Sequence, residues 1–579
     1  MPRVRAAAHL EHVRRRAFFY KASRAARDIE SRGSWMDVDP LSPVSLGYVA
    51  FRFGYVVLGV LGLLSLWRRP RATAAFWLLV ALNLATWAAC VAPLGRLYGL
   101  SEHLDRSFWL GMTATAATGH SPFEHTQVGF ANLEPLWSAL TAALALYRPE
   151  NAAAVWFWLS PVSIVMVAAG LFFGMRATDS DDDAWERLLV VFAVLGLSSF
   201  SLSQRAPVPP LWSANFLLKP NHAAGFAMVG IVLGLRARAR SPLAVGLALG
   251  ALAWVFFLHW AYVLLGLVAG ALLWRAGAAG RAVAGASGVS LLLAAPYIRH
   301  LTRDHNPLAE GDTPRQLWLD VTGVHLAVPH WATLDLGVLF LLGMAGALVL
   351  HRRALPRDRD VLGLLVAVWL LWLGYELAAP FGISPEPEEL HYFLRFAMAL
   401  AAGGALFAAA RALERWRPLR PGQAPLALMA LLLPLTFPAS WDPPLMDRYF
   451  RWCRPPLRPK VVAYGRWVRE NTPKDAVFVA GNEACIWIPG LAGRRVLLTG
   501  ASRPPRDYEA RKQAERTLLL SREPEQIRET ARRFGVDYLA IDREMLLEYG
   551  EESLEGLGQL PVYEMQYLSS AVRIFKIKK

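Results

Sequence analysis

Cysteine is scarce. Three in 579 residues give no disulfide framework. Cys90 falls in an apolar run, while Cys453 and Cys485 share the C-terminal tail and would pair only if it faces an oxidising compartment. No P-loop, no dinucleotide fingerprint following a strand, no CxxC pair and no GxSxG elbow is present. Their absence removes the common nucleotide, redox and serine-hydrolase signatures. The first apolar run starts near Ser45 behind a charged leader, with no cleavable signal peptide, so the first membrane helix is expected to serve as the address. Charge is sparse too: 18% of residues are charged against 55% hydrophobic, and mean hydropathy is +0.30. That balance excludes an ordinary soluble enzyme and indicates a polytopic α-helical membrane protein with a soluble part attached.

The net charge of +15 does not point to nucleic acid, because the arginines sit in short clusters between apolar runs, at 68–71, 236–240, 351–359 and 411–420. This is the pattern of cytoplasmic loops. Apolar spans are read at 45–67, 74–94, 151–174, 188–203, 221–235, 243–258, 260–274, 283–298, 334–350, 361–379, 392–410 and 425–440. A shorter helix at 135–147 is taken as peripheral. The expectation is about 12–13 crossings, several shorter than the roughly 20 residues of a perpendicular span and therefore suited to helices that end around a cavity. With the arginine clusters inside, the loops 95–135, 299–333 and 380–391 fall outside, as does everything after Ser440. The basic N-terminal arm then falls outside as well.

Three regions follow. Residues 1–44 form a basic arm, read either as an amphipathic helix on anionic lipid or as a solvated arm. Residues 45–440 form the multi-helix transmembrane domain with a polar outer loop at 95–135, and 441–579 a soluble α/β domain on the outer face. In the tail, KVVAYGRWVREN reads as a helix before the strand-like AVFVAG. EPEQIRETARRFG is a helix closed by Gly535 before VDYLAID, and LPVYEMQYLSSAVRIFKIKK is a hairpin turning at Ser569-Ser570.

The chemistry-bearing residues concentrate in Arg96–Pro135. In a helical SEHLD, Glu102 and Asp105 share a face. Asp105 is the candidate general base, with Glu102 or His103 positioning it, and Glu102 is the alternative catalytic acid; the bland reading makes Ser101 a cap and pairs Glu102 with Arg106. Glu124, flanked by His120 and His125, either orients an acceptor, holds a divalent metal, or belongs to a loop hydrogen-bond cluster. Cationic candidates lie at other helix mouths: Lys219 and His222 in LKPNH, Arg299, His300 and Arg303 in YIRHLTRDH, and Tyr392 and Arg395 in HYFLRF. Lys219 equally suits snorkelling to headgroups, and Arg395 an ion pair with Glu388 or Glu389. The aspartate run at 179–186 is read as a solvated acidic loop, and the glycine-rich 280–290 as helix packing within a span.

The segment LDRSFWLGMTATAATGHSPFEHTQVGFANLEPLWSAL, followed by many helices and an α/β tail, resembles the GT-C superfamily of membrane glycosyltransferases, which use polyprenyl-phosphate-linked sugars. The tail stretches WVRENTPKDAVFVAG, FGVDYLAID and VRIFKI are similar to the C-terminal domain of uncharacterised bacterial members. The resemblance implies inverting transfer of a hexosyl or pentosyl unit to a lipid, glycan or protein acceptor, in the cytoplasmic membrane of a bacterium. It matches the superfamily's loop acid to Asp105 and sets an arginine such as Arg395 against the lipid phosphate. Trp109 stands where many members have histidine. No cofactor is implied, and a divalent cation stays open. A transporter or flippase would share the helix count, although no internal repeat is visible. A non-catalytic scaffold of the same fold in envelope assembly would share every feature except turnover.

Overall fold

The computed structural model describes residues 57–90, 104–129, 132, 134–177, 179–196, 199–201, 206–208, 219–238, 241–274, 277–304, 338–353, 355–378, 387–416, 419–436, 459–481, 483–498 and 507–579. The basic arm 1–44, Glu102, His103 and Cys453 lie outside them. The chain is mostly helical and ends in a small mixed sheet. Three described helices, Pro149–Met175, Gly277–His300 and Leu390–Trp416, are long and apolar enough to cross a membrane. Shorter apolar helices include Val57–Leu66, Pro242–Val255 and Phe257–Leu273.

Helices begin where the sequence supplies a start signal. Proline occupies the first turn at Pro135, Pro220, Pro242 and Pro524, where its missing N–H would have had no intrahelical partner. Ser180 caps Asp181–Leu195 by accepting from the Asp183 amide at 3.2 Å. The aspartate run is thus the first turn of a helix, where three carboxylates complement the dipole, rather than an acidic loop. Some expected helices are shorter than read. The span at 188–203 stops at Leu195, and Ser199–Ser201 pairs as strand β1 with β2, Ala206–Val208. The helix read to 147 stops at Leu144, because Leu146 and Tyr147 take left-handed φ values of 54° and 53°.

The helices pack around one apolar core running from Leu63 to Leu432. Ala152–Met175 and Pro220–Ala237 approach closely enough that a Cβ on Gly170 would lie 2.3 Å from the Ala227 carbonyl oxygen, and one on Gly230 2.5 Å from Gly170. Small residues at four-residue spacing permit that backbone contact.

The tail sheet has the order β4-β3-β5-β7-β6. β3 is Val477–Ala480, β4 Arg495–Val496, β5 Tyr538–Asp542, β6 Tyr563–Leu568 and β7 Val572–Ile577. β3 pairs in parallel with β4 and β5, while β7 is antiparallel to both β5 and β6. Period-two alternation separates two faces. Val477, Val479, Leu539, Ile541 and Phe575 pack under the helices Tyr508–Leu520 and Pro524–Phe534. Phe478, Tyr538, Ala540 and Ile574 join a second cluster containing Leu110, Ala114 and Trp156. The tail therefore shares a hydrophobic core with Leu104–Ala117, the helix that carries Asp105. Gly111 of that helix faces Pro489 and Gly490. Cys485 is buried within Ala484–Ala492, and Gly535 closes its helix at φ 68° as expected.

Candidate functional site

Asp105 occupies the first turn of Leu104–Ala117. The far end of that helix is fixed by polar contacts: the Trp156 indole donates to Thr113 Oγ1 at 2.8 Å, and Thr113 shares a 2.8 Å hydrogen bond with Thr141. Thr118 then donates to the Gly493 carbonyl at 3.2 Å.

The loop that follows spreads its charged residues along the tail. His120 Nε2 lies 2.9 Å from the Lys474 carbonyl. Burial holds the His120 imidazole below its usual range, the Lys474 hydrogen bond opposes this, and the Arg495 charge lowers it further. Glu124 accepts from Arg495 at 3.1 Å. His125 is buried and its Nδ1 accepts from the Gln127 amide at 2.9 Å. The three residues are thus engaged with separate partners, and among the described residues no group of three His, Cys, Asp or Glu side chains converges to hold a metal ion.

Beyond this the loop turns inward. Asn132 Nδ2 donates to the Pro122 carbonyl at 2.7 Å and to Ser138 at 2.8 Å, while its Oδ1 accepts from the Glu134 amide at 2.9 Å. The Tyr297 hydroxyl donates to the Asn132 carbonyl at 3.1 Å. Glu134, just before Pro135, is 2% exposed. Its Oε1 accepts from Asn221 Nδ2 at 3.0 Å. Asn221 belongs to the first turn of Pro220–Ala237, preceded by Lys219 and followed by His222, all three buried. The Glu134 carboxylate thus stands at the N-terminus of one helix and is bonded to the first turn of another, an electrostatically favourable placement for an anion.

The third contribution comes from Pro387–Trp416. Lys219 Nζ stands 5.6 Å from the centre of the Tyr392 ring, and His222 packs at 6.2 Å from the same ring. Arg395, one turn on, is 1% exposed. His259 lies 6.1 Å from His222 and packs against the tilted rings of Phe226, Phe256 and Phe393. Lys219, His222 and Tyr392 are thus brought together, with Arg395 on the same helix as Tyr392. His300 meets the loop, with its Nε2 3.2 Å from the Phe123 carbonyl. Arg299 is exposed at the same helix end, and Arg303 lies in that helix's last turn. Glu134 and Asn221 were not singled out from the sequence. Glu134 read simply as the residue before a Pro-Leu helix, and nothing local shows that it meets a partner 87 residues away.

No family model matches the chain, and no curated protein matches it. Solved structures do. The Archaeoglobus fulgidus oligosaccharyltransferase tethered with an acceptor peptide is 13% identical, with a TM-score of 0.44 over 91% of this chain and 74% of that one. ArnT from Cupriavidus metallidurans bound to undecaprenyl phosphate is 12% identical, with a TM-score of 0.48 over 87% of this chain and 98% of that one.

Proposed function

We propose that this chain is a GT-C-type membrane glycosyltransferase that moves a sugar from a polyprenyl-phosphate donor to an acceptor on the extracytoplasmic face. The observation that carries this reading is the buried polar junction. Lys219 and His222, chosen from the sequence as phosphate binders, stand against Tyr392 from another part of the chain, beside a carboxylate contributed by the candidate catalytic loop. Polar groups buried between apolar helices are costly, and they persist where they line a substrate path.

In the reaction, Asp105 takes the proton of the acceptor hydroxyl, and that oxygen attacks the anomeric carbon. The bond from that carbon to the lipid phosphate oxygen breaks, and the phosphate leaves with both bonding electrons, so the anomeric configuration inverts. Lys219 and Arg395 supply positive charge to the departing phosphate, with His222 and Tyr392 as hydrogen-bonding neighbours. Arg299, His300 and Arg303 supply a second cationic group at the loop's edge. Glu102 and His103 support Asp105, while His120 and Glu124 fasten the loop to the tail and His125 braces the loop from within. The acceptor is a lipid, a glycan or a protein, and the tail lies on the extracytoplasmic side, with residues 45–440 forming the membrane domain.

Binding of a radiolabelled polyprenyl phosphate to purified protein in detergent tests the junction. Lys219→Gln should weaken binding by about tenfold or more, the loss expected from one charge-assisted contact, without lowering the melting temperature. Equal binding by the two proteins, or none by the wild type, would remove the assignment.

A further inference from the structure

The loop does more than lie on the tail. The Val128 amide donates to the Val496 carbonyl at 3.0 Å, and the Val496 amide donates to the Thr126 carbonyl at 2.9 Å. Gln127 thereby pairs in parallel with Val496. β4 has only two residues and stands at one end of the sheet order, so the loop covers that edge as an added strand. A buried arginine locks the addition. Arg511, in the first turn of Tyr508–Leu520, donates to the carbonyls of both Val128 and Leu497, on the two joined segments. Asp507 orients it at 2.8 Å. Gly129, at φ 68°, then turns the chain away toward Asn132 and Glu134, and a Cβ there would lie 2.9 Å from the Arg511 guanidinium.

We propose that the tail domain acts as a positioning device for the membrane site, with Arg511 as the positioning residue. The loop is fastened at one end to the tail sheet and at the other to Asn221 and Tyr297. Arg511 thus fixes where the loop leaves the sheet, and through it where Glu134 meets Asn221. The consequence for turnover rests on the function proposed above; the mechanical coupling does not.

Hydrogen exchange on the full-length protein tests it, comparing wild type, Arg511→Ala and Arg511→Lys. Arg511→Ala should speed exchange in peptides spanning 124–134 by about tenfold or more while the amides of β3 and β5 stay protected. The lysine variant, which keeps one donor group, should recover part of that protection. Where sugar transfer is measurable, kcat should fall by about tenfold with the donor KM nearly unchanged, since orientation rather than binding is lost. Unchanged exchange at 124–134, an equal rise across β3 and β5, or a loosened loop with unaltered kcat would each overturn the proposal. A wild type that transfers no sugar would count against the function while leaving the exchange result to decide the coupling.

Discussion

Asn221 Nδ2 donates to Glu134 Oε1 at 3.0 Å, with both side chains withdrawn from solvent. The pair joins the N-termini of two helices that are far apart in sequence. A buried carboxylate is costly unless it is hydrogen-bonded, and here the asparagine amide serves one of its oxygens while the adjoining helix N-termini favour the negative charge. Lys219 and His222 flank the asparagine, so the pair also sets how the cationic helix mouth faces the loop.

Replacing Glu134 with alanine leaves the Asn221 amide without this acceptor, which should cost on the order of 1–3 kcal/mol. Glu134→Gln keeps an acceptor oxygen and should cost less. Thermal melting in detergent distinguishes them: the alanine variant should melt lowest, and an alanine variant that melts with the wild type would show that the contact contributes nothing.

The helix pair Ala152–Met175 and Pro220–Ala237 makes a second forecast. Gly170→Ala sets a methyl group 2.3 Å from backbone and must push the helices apart, whereas a Cβ at Gly288 meets nothing within 4 Å. Overpacking of this kind costs about 1–3 kcal/mol, while Gly288→Ala should be neutral or stabilising by up to about 1 kcal/mol through helix propensity. Melting temperatures of the two single variants should therefore move in opposite directions or differ plainly in size.

Much of this architecture was legible. The tail helices, the Gly535 cap and the Ser569-Ser570 hairpin appear where hydrophobic period and turn residues indicated. Charge within apolar sequence is rare, and that singles out Lys219, His222 and Arg395 as candidates, with Tyr392 beside Arg395. What local pattern does not hold is pairing across the chain. Glu134 with Asn221, and Val128 with Val496, join residues whose neighbourhoods say nothing about each other. The aspartate run differs for another reason: Ser180 before three acids is a helix start, and the same composition also suits a solvated loop. Leu146 and Tyr147 ended their helix in a conformation that apolar residues seldom adopt, so no composition signal announced it.

Stability should depend on pH through the partly buried His120. Because burial lowers the His120 pKa in the folded protein, the unfolded chain binds the proton more readily. The stability linked to this group is then fully present above the unfolded value of about 6.5 and is lost as pH falls from there through the folded value. Melting curves between neutral and mildly acid pH should converge for wild type and His120→Gln in shape but not in slope, the wild type losing more on acidification. Parallel pH profiles would show that the histidine is not linked to folding.

Sugar transfer itself is the most direct measurement. Purified protein is given a panel of radiolabelled polyprenyl-phosphate sugars, wild type beside Asp105→Asn, with melting curves confirming that both are folded. Turnover by the wild type is expected, with a loss of about 10²–10⁴-fold in the variant, the usual contribution of a positioned general base. Wild-type turnover that persists undiminished in Asp105→Asn would contradict the assignment of the base, and a wild type inert toward every donor would contradict the glycosyltransferase reading.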